Sequence, residues 1–340
     1  MGFQPAIYSH RLTSNLKRAI SIADCRQIIL ICDEHTKKFC LPHLSEIKFN
    51  SIYTIISGEE NKSIASAMNL INFLLTQNFD KKTLLIALGG GMVTDLTGFV
   101  ASIYKRGIAY INVPTTLLCM VDAGIGAKTG VDHLEIKNCI GTIYPALGIY
   151  SDAKFLGTLP KTELLSGWAE VVKHHLIANI ALPEFSKMNA ISNEDVQDWA
   201  NIKHHIIKAD PFEKNQRLAL NAGHTLGHAI ESYFLKMNQT IPHGMAVAAG
   251  LWIESFICKT TLKDDWVFKQ LEHYIFDCFG KLSFDEQAID AIINFAKNDK
   301  KNTLNGIVCS LLKTHGKLQV EIIEEQDLRM GIRHYIDFKC

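Results

Sequence analysis

The chain has 340 residues, 47% of them apolar and 21% charged, with Lys+Arg and Asp+Glu balanced at 35 each. This length allows two ordinary domains and a substantial core. The composition excludes a disordered chain, and zero net charge excludes a broad basic field for nucleic acid or a membrane surface. No uncharged apolar run reaches bilayer length. Nine Cys without a CxxC pair point to a reduced, cytoplasmic setting. The start, Met1-Gly2-Phe3-Gln4-Pro5-Ala6, carries neither the apolar core of a signal peptide nor the hydroxyl residue of a myristoylation site.

In the first half, short β-branched runs alternate with helical spacing. Residues 27–32 (QIILIC) read as a buried strand ending at Asp33, and 51–57 (SIYTIIS) as a second. Residues 61–79 have helical spacing in Ile64, Met68, Ile71 and Leu75. A third strand, 83–88 (TLLIAL), runs into Gly89-Gly90-Gly91, with a helix over 92–104 and a strand over 109–113 beyond it. Such alternation predicts a Rossmann-like α/β domain, its mainly parallel sheet flanked by helices. After Thr158-Leu159-Pro160 the periodic segments become long and helical, at 161–178, 193–209, 213–234 and 244–260. We therefore expect an α/β domain over 1–157 and an all-α domain over 158–340.

The turn Leu88-Gly89-Gly90-Gly91-Met92-Val93-Thr94-Asp95 follows a strand and opens a helix. Glycines there let the backbone approach a phosphate, and the helix start offers free N–H groups. The pattern is neither GxGxxG nor a Walker loop, and a plain tight βα turn explains it equally well. Asp33, at a strand end, suits a ribose hydroxyl or a surface turn. Thr115 and Thr116 follow a strand that ends at Pro114, at the sheet edge where ligands bind. Taken alone, they read as cap or loop hydroxyls.

Two histidines four apart, His224 and His228, share a predicted helix with Gly223 and Gly227. Their Cβ atoms would lie about 6 Å apart on one face. Each glycine costs about 1 kcal/mol in a helix interior, which suggests close approach by something else. His243 stands at a predicted helix start, and Glu170 and Lys173 lie three apart on an apolar helix. Two imidazoles and one carboxylate make a catalytic zinc-type ligand set with an open position. Spacing alone nominates His224 and His228. His174, His175, His204 and His205 read as helix-surface residues.

Five segments together resemble the 3-dehydroquinate synthases. Residues 122–130 (DAGIGAKTG) are similar to the family's D-S-S-x-G-G-K-T-G loop, and Lys137-Asn138-Cys139-Ile140-Gly141 to its K-N-x-I-G. Residues 166–173 (SGWAEVVK) are similar to S-G-x-A-E-V-I-K, and 217–231 resemble R-x-x-L-N-x-G-H-T-x-G-H-A-x-E. Asp299-Lys300-Lys301 resembles the late D-K-K. Ala123, Gly124 and Ala127 depart from the loop pattern, and Asn215-Gln216 replaces a Gly-Leu.

The resemblance implies two domains with the active site in the cleft between them. The metal, zinc or cobalt, would be held by Glu170, His224 and His243, which moves His228 to the substrate. NAD would contact Asp33, Ser57, Gly58, Glu59, Glu60, Asn61, Lys62, Gly91, Met92, Val93, Thr94, Asp95, Thr115, Thr116, Asp122, Lys128, Lys137, Phe155, Leu156, Gly157 and Thr158. Substrate contacts would come from Arg106, Lys128, Asn138, Lys173, Lys203, Glu213, Arg217, Asn221, His228 and Lys300 or Lys301. The implied substrate is a phosphorylated seven-carbon keto acid, cyclised in the shikimate pathway with NAD used catalytically. A homodimer is implied by Arg106. The competing readings are a cyclase for another sugar phosphate, a polyol or alcohol dehydrogenase of related fold, and a non-catalytic NAD- or metal-sensing module.

Overall fold

The computed structural model describes residues 6–134, 136–297 and 306–339. They form two compact units: Met1–Pro160 with Ala190–Lys208, and Lys161–Asn189 with Ala209–Cys340. In chain order the first half holds β1 (Ala6–Tyr8), α1 (Leu12–Ile22), β2 (Gln27–Asp33), α2 (Glu34–Phe39), β3 (Ser51–Ile55), α3 (Ile64–Thr76), β4 (Thr83–Gly89), α4 (Gly91–Ile103), β5 (Ala109–Pro114), β6 (Lys128–His133), β7 (Ile136–Ile143) and β8 (Ile149–Ser151). Six of these strands pair in parallel in the order β1-β8-β5-β4-β2-β3. β4 is buried along its whole length, as a strand covered on both faces must be.

The register aligns Asp33 with Ile55, Cys32 with Leu88, and Gly89 with Pro114. Asp33, the glycine turn and Thr115 therefore share the carboxyl edge of the sheet, where ligands bind in this class of fold. β6 and β7 form a separate antiparallel pair.

The second half holds α5 (Lys161–Ala178), α6 (Asn193–Ala209), α7 (His224–Lys236), α8 (His243–Thr261), α9 (Trp266–Leu271), α10 (Tyr274–Phe279), α11 (Ala288–Lys297), β9 (Ile307–Lys313), β10 (Lys317–Ile323) and α12 (Glu325–Asp337). The core of this unit gathers on Trp252 of α8, fully buried among the rings of Phe268, Phe276 and Tyr335. No helix of the described residues is long and apolar enough to cross a membrane.

Three expectations need correction. The unit is not purely helical, because β9 and β10 pair antiparallel. The periodic stretch 213–234 is two elements, a short 3-10 helix and α7, broken at Gly223, whose φ of 76° lies in the left-handed region. The helix α6 belongs with the sheet, not with the second half of the chain. Its Asn193 accepts from Ala153 N at 2.8 Å, and His204 accepts from Ala6 N at 3.0 Å. Periodicity reports which face of a helix is apolar but not what covers it.

One loop departure has a local reason and another carries a cost. A Cβ at Gly124 would meet the Cys119 carbonyl at 2.7 Å, so glycine suits the packing there. Ala127, where the family pattern carries glycine, sits at φ 60°. That conformation costs an L-residue about 1 kcal/mol or more. Ala127→Gly should raise stability by about 1 kcal/mol in denaturant unfolding. An unchanged or lowered midpoint would show that no strain resides at this position.

Candidate active site

Helix α5 carries Ser166, Glu170 and Lys173 at a spacing that puts them on one face. Glu170 is fully buried, and neither of its carboxylate oxygens accepts a hydrogen bond among the described residues. Lys173, also buried, ion-pairs with Glu170 and donates to the Leu220 carbonyl at 2.7 Å. His224, the first residue of α7, brings Nε2 to 3.6 Å from Glu170 Oε1. Its Nδ1 lies 3.1 Å from the Ala222 carbonyl, which assigns the proton to Nδ1 and leaves the Nε2 lone pair toward the carboxylate. Burial first, then Lys173, His228 and His243, hold the His224 pKa well below the ordinary histidine value. The ring is thus in the neutral form a metal ligand requires.

His228 follows one turn along α7, and His243 opens α8. The three ring centroids are separated by 5.2, 5.5 and 5.6 Å, and their ligand atoms lie within 4.8 Å of one another. Glu231 Oε2 lies 3.3 Å from His243 Nδ1, the kind of carboxylate contact that orients a ligating imidazole. The pair nominated by spacing and the His243 implied by the resemblance thus fall in one cluster beside Glu170. A carboxylate oxygen that accepts no hydrogen bond among the described residues, with a neutral imidazole aimed at it, fits a divalent cation.

The helices meet here because glycines remove the side chains that would separate them. A Cβ at Gly250 of α8 would lie 2.2 Å from the Gly223 carbonyl and 2.5 Å from Gly227 N. The sequence-based idea of close approach at Gly223 and Gly227 therefore holds, and the object approaching is α8.

Between α6 and α7 lies a loop organised by Asp210. Its carboxylate accepts from the backbone N–H of Lys214 at 3.0 Å, Asn215 at 2.6 Å and Arg217 at 3.1 Å. These donors, Lys214 first, outweigh burial and hold Asp210 below the ordinary carboxylate range. Within the loop Glu213 accepts from Asn221 Nδ2 at 2.8 Å, and Arg217 Nη1 donates to the Pro211 carbonyl at 2.7 Å. The sequence reading missed Asp210, whose only signal is an acid opening a turn before a charged loop.

In the sheet unit, Gly90 starts α4 without a side-chain cap, which leaves first-turn N–H groups available to a phosphate. A Cβ at Gly89 would meet Val93 at 2.5 Å, so that glycine also serves packing. Asp33 caps α2 by accepting from Thr36 N at 2.7 Å, and Thr116 accepts from Cys119 N at 3.1 Å. Lys62 is buried, 2.7 Å from Asp95 and 2.7 Å from Asn138 Oδ1, with Glu59 at 3.4 Å. Burial works against its ammonium, but Asp95 and Glu59 outweigh it and raise its pKa. Lys203 lies 2.8 Å from the Asp122 carboxylate. Phe155 and Leu156 face the core, while Gly157 and Thr158 are exposed.

Three residues assigned to substrate, Arg106, Asn138 and Glu213, have left-handed φ of 64°, 49° and 55°. Non-glycine residues held there concentrate at functional sites. Lys300 and Lys301 lie outside the described residues. His174 and His175 are buried within α5, contrary to the surface reading, because the whole central part of that helix is covered.

By its fold the chain is matched, at TM-score 0.83 and 24% identity over 97% of this chain and 96% of the other, by a crystal structure of 2-deoxy-scyllo-inosose synthase with carbaglucose-6-phosphate, NAD+ and Co2+. That likeness shows the fold the two chains share. The 3-dehydroquinate synthase N-terminal profile matches residues 52–166, and the 3-dehydroquinate synthase C-terminal profile matches 167–302. The 3-dehydroquinate synthase of Parabacteroides distasonis is 36% identical over 94% of each chain. That of Dictyoglomus thermophilum is 38% identical over 85% of this chain and 83% of the other. The chain belongs to the 3-dehydroquinate synthase family.

Asp210→Asn puts an amide N–H₂ against backbone donors and should loosen the loop that holds Glu213 and Arg217. We expect kcat/KM to fall about tenfold or more with cobalt binding unchanged. Loss of cobalt binding instead would tie Asp210 to the imidazole cluster.

Proposed function

We propose that this chain converts 3-deoxy-D-arabino-heptulosonate 7-phosphate into 3-dehydroquinate and phosphate. The observation that carries the reading is the meeting of Glu170, His224 and His243 from three helices, beside a buried lysine. These three side chains would hold a zinc or cobalt ion, and the uncapped start of α4 with the 57–62 loop would hold NAD. When bound, the cation lowers the pKa of a coordinated hydroxyl and NAD supplies reversible hydride transfer.

The chain's own groups then bind, orient and move protons. Lys173 is fixed between Glu170 and the Leu220 carbonyl, and its ammonium remains able to donate to a substrate oxygen. Arg217, held by Pro211, and Asn221, held by Glu213, offer donors to an anionic substrate group. In the sheet unit Lys128, Asn138 and Lys203 would add further donors. Fixed donors of this kind stabilise developing charge without reorganising during the reaction. His228 and Glu213 would pass protons through a bound water. Arg106, exposed at a left-handed position, would serve a second copy of the chain in a homodimer.

The direct test is incubation with the heptulosonate phosphate, catalytic NAD and zinc. Phosphate and dehydroquinate should form without net NADH absorbance. Stoichiometric NADH would make the protein a dehydrogenase, and phosphate release from glucose 6-phosphate alone would make it a cyclase for another sugar.

His243→Ala should lose both bound metal and turnover, and a fully metallated, active variant would strike His243 from the ligand set. Lys173→Ala should lower turnover by about 100-fold with NAD affinity intact. A change confined to NAD affinity would move Lys173 out of the substrate contacts.

A further inference from the structure

Both ligand-bearing helices of the imidazole cluster begin at a ligand: α7 at His224 and α8 at His243. A helix start carries roughly half a positive charge and several free N–H groups. The start of α7, where His224 stands, therefore opposes the binding of a cation at that ring. Neither helix has a side-chain cap from its own N-cap residue, which is Gly223 for α7 and Pro242 for α8.

The caps come from other helices. Glu254 of α8 is buried, with Oε2 accepting from Gly223 N at 2.7 Å and Oε1 from Leu226 N at 3.2 Å. These two N–H groups bracket His224. His243, Val247, Gly250 and Glu254 are spaced four, three and four apart, so one face of α8 carries a ligand, the close backbone contact and the cap. Ser166 of α5, one turn before Glu170, accepts from Gly244 N at 2.9 Å and caps α8 in turn. Only the α7 cap carries charge.

We propose that Glu254 is a positioning residue for the cation site, a role that rests on the metal reading above. It fixes the first turn of α7, and so the direction of the His224 ring, against the helix that bears His243. Its buried negative charge offsets the positive end of α7 where the cation must sit. It touches neither substrate nor cation and acts through His224.

The test is cobalt affinity, read from the visible absorption of the cobalt protein in competition with a chelator. Glu254→Gln keeps the size and one acceptor but loses the charge. Its cobalt Kd should rise about tenfold or more, the range typical of residues that support metal ligands. Glu254→Asp, which restores the charge, should recover most of that affinity. NAD affinity should not change in either variant. Equal cobalt affinity in parent and Glu254→Gln overturns the proposal, even if the melting temperature falls. A parent that takes up no cobalt overturns the metal reading itself.

A second measurement needs no variant. In metal-free parent protein the Gly223 and Leu226 amides should exchange with deuterium as slowly as their interior α7 neighbours. Fast exchange there, slowed only by cobalt, would mean that the cap is not preformed and would overturn the proposal.

Discussion

Among the described residues Glu170 accepts no hydrogen bond, yet it is a carboxylate set inside an apolar helix of the helical unit and answered by one ammonium. Glu170 is fully buried, and its oxygens face Lys173 and the Nε2 of His224. Burying an ionised carboxylate without compensation costs several kcal/mol. One ammonium answers the charge but leaves most of the acceptor capacity unused. The open acceptor beside His224 is the feature on which the proposed cation site rests.

Bringing Glu170, His224 and His243 together from three helices demands closer helix contact than ordinary side chains allow. Gly223, Gly227 and Gly250 remove the obstacle between α7 and α8, and Gly244 does so between α8 and Ser166 of α5. The caps at Glu254 and Ser166 then pin each helix start to a neighbour. Rigidity at a metal site comes from such outer contacts as much as from the ligands.

Much of this was legible in the sequence. The buried strands, the glycine turn and the bounds of α5 and α6 follow from local period and turn chemistry, and the observed α5 and α6 coincide with the predicted spans. The proposed ligand set was less so. Spacing offered His224 and His228, and it took the resemblance to bring in His243, because a helix start nineteen residues away leaves no periodic trace. The break at Gly223 was hidden because apolar spacing continues through it. Asp210, Glu254 and Ser166 act on backbone groups brought near only by folding, and short-range pattern does not encode such contacts. The placement of α6 was hidden for the same reason, since its partners Ala6 and Ala153 lie far away in the chain.

That placement has a consequence for how the chain can be made and divided. The chain leaves the sheet unit at residue 160, returns for 190–208 and leaves again. A fragment ending near 157 would lack α6 and expose the surface that Val196, Trp199 and Ala200 cover, with backbone donors of β1 unmet. During synthesis the sheet unit stays incomplete until residues 190–208 have emerged, and α5 with Glu170 emerges before them. The two units are therefore interleaved during assembly, and neither can be exchanged between proteins by a single cut.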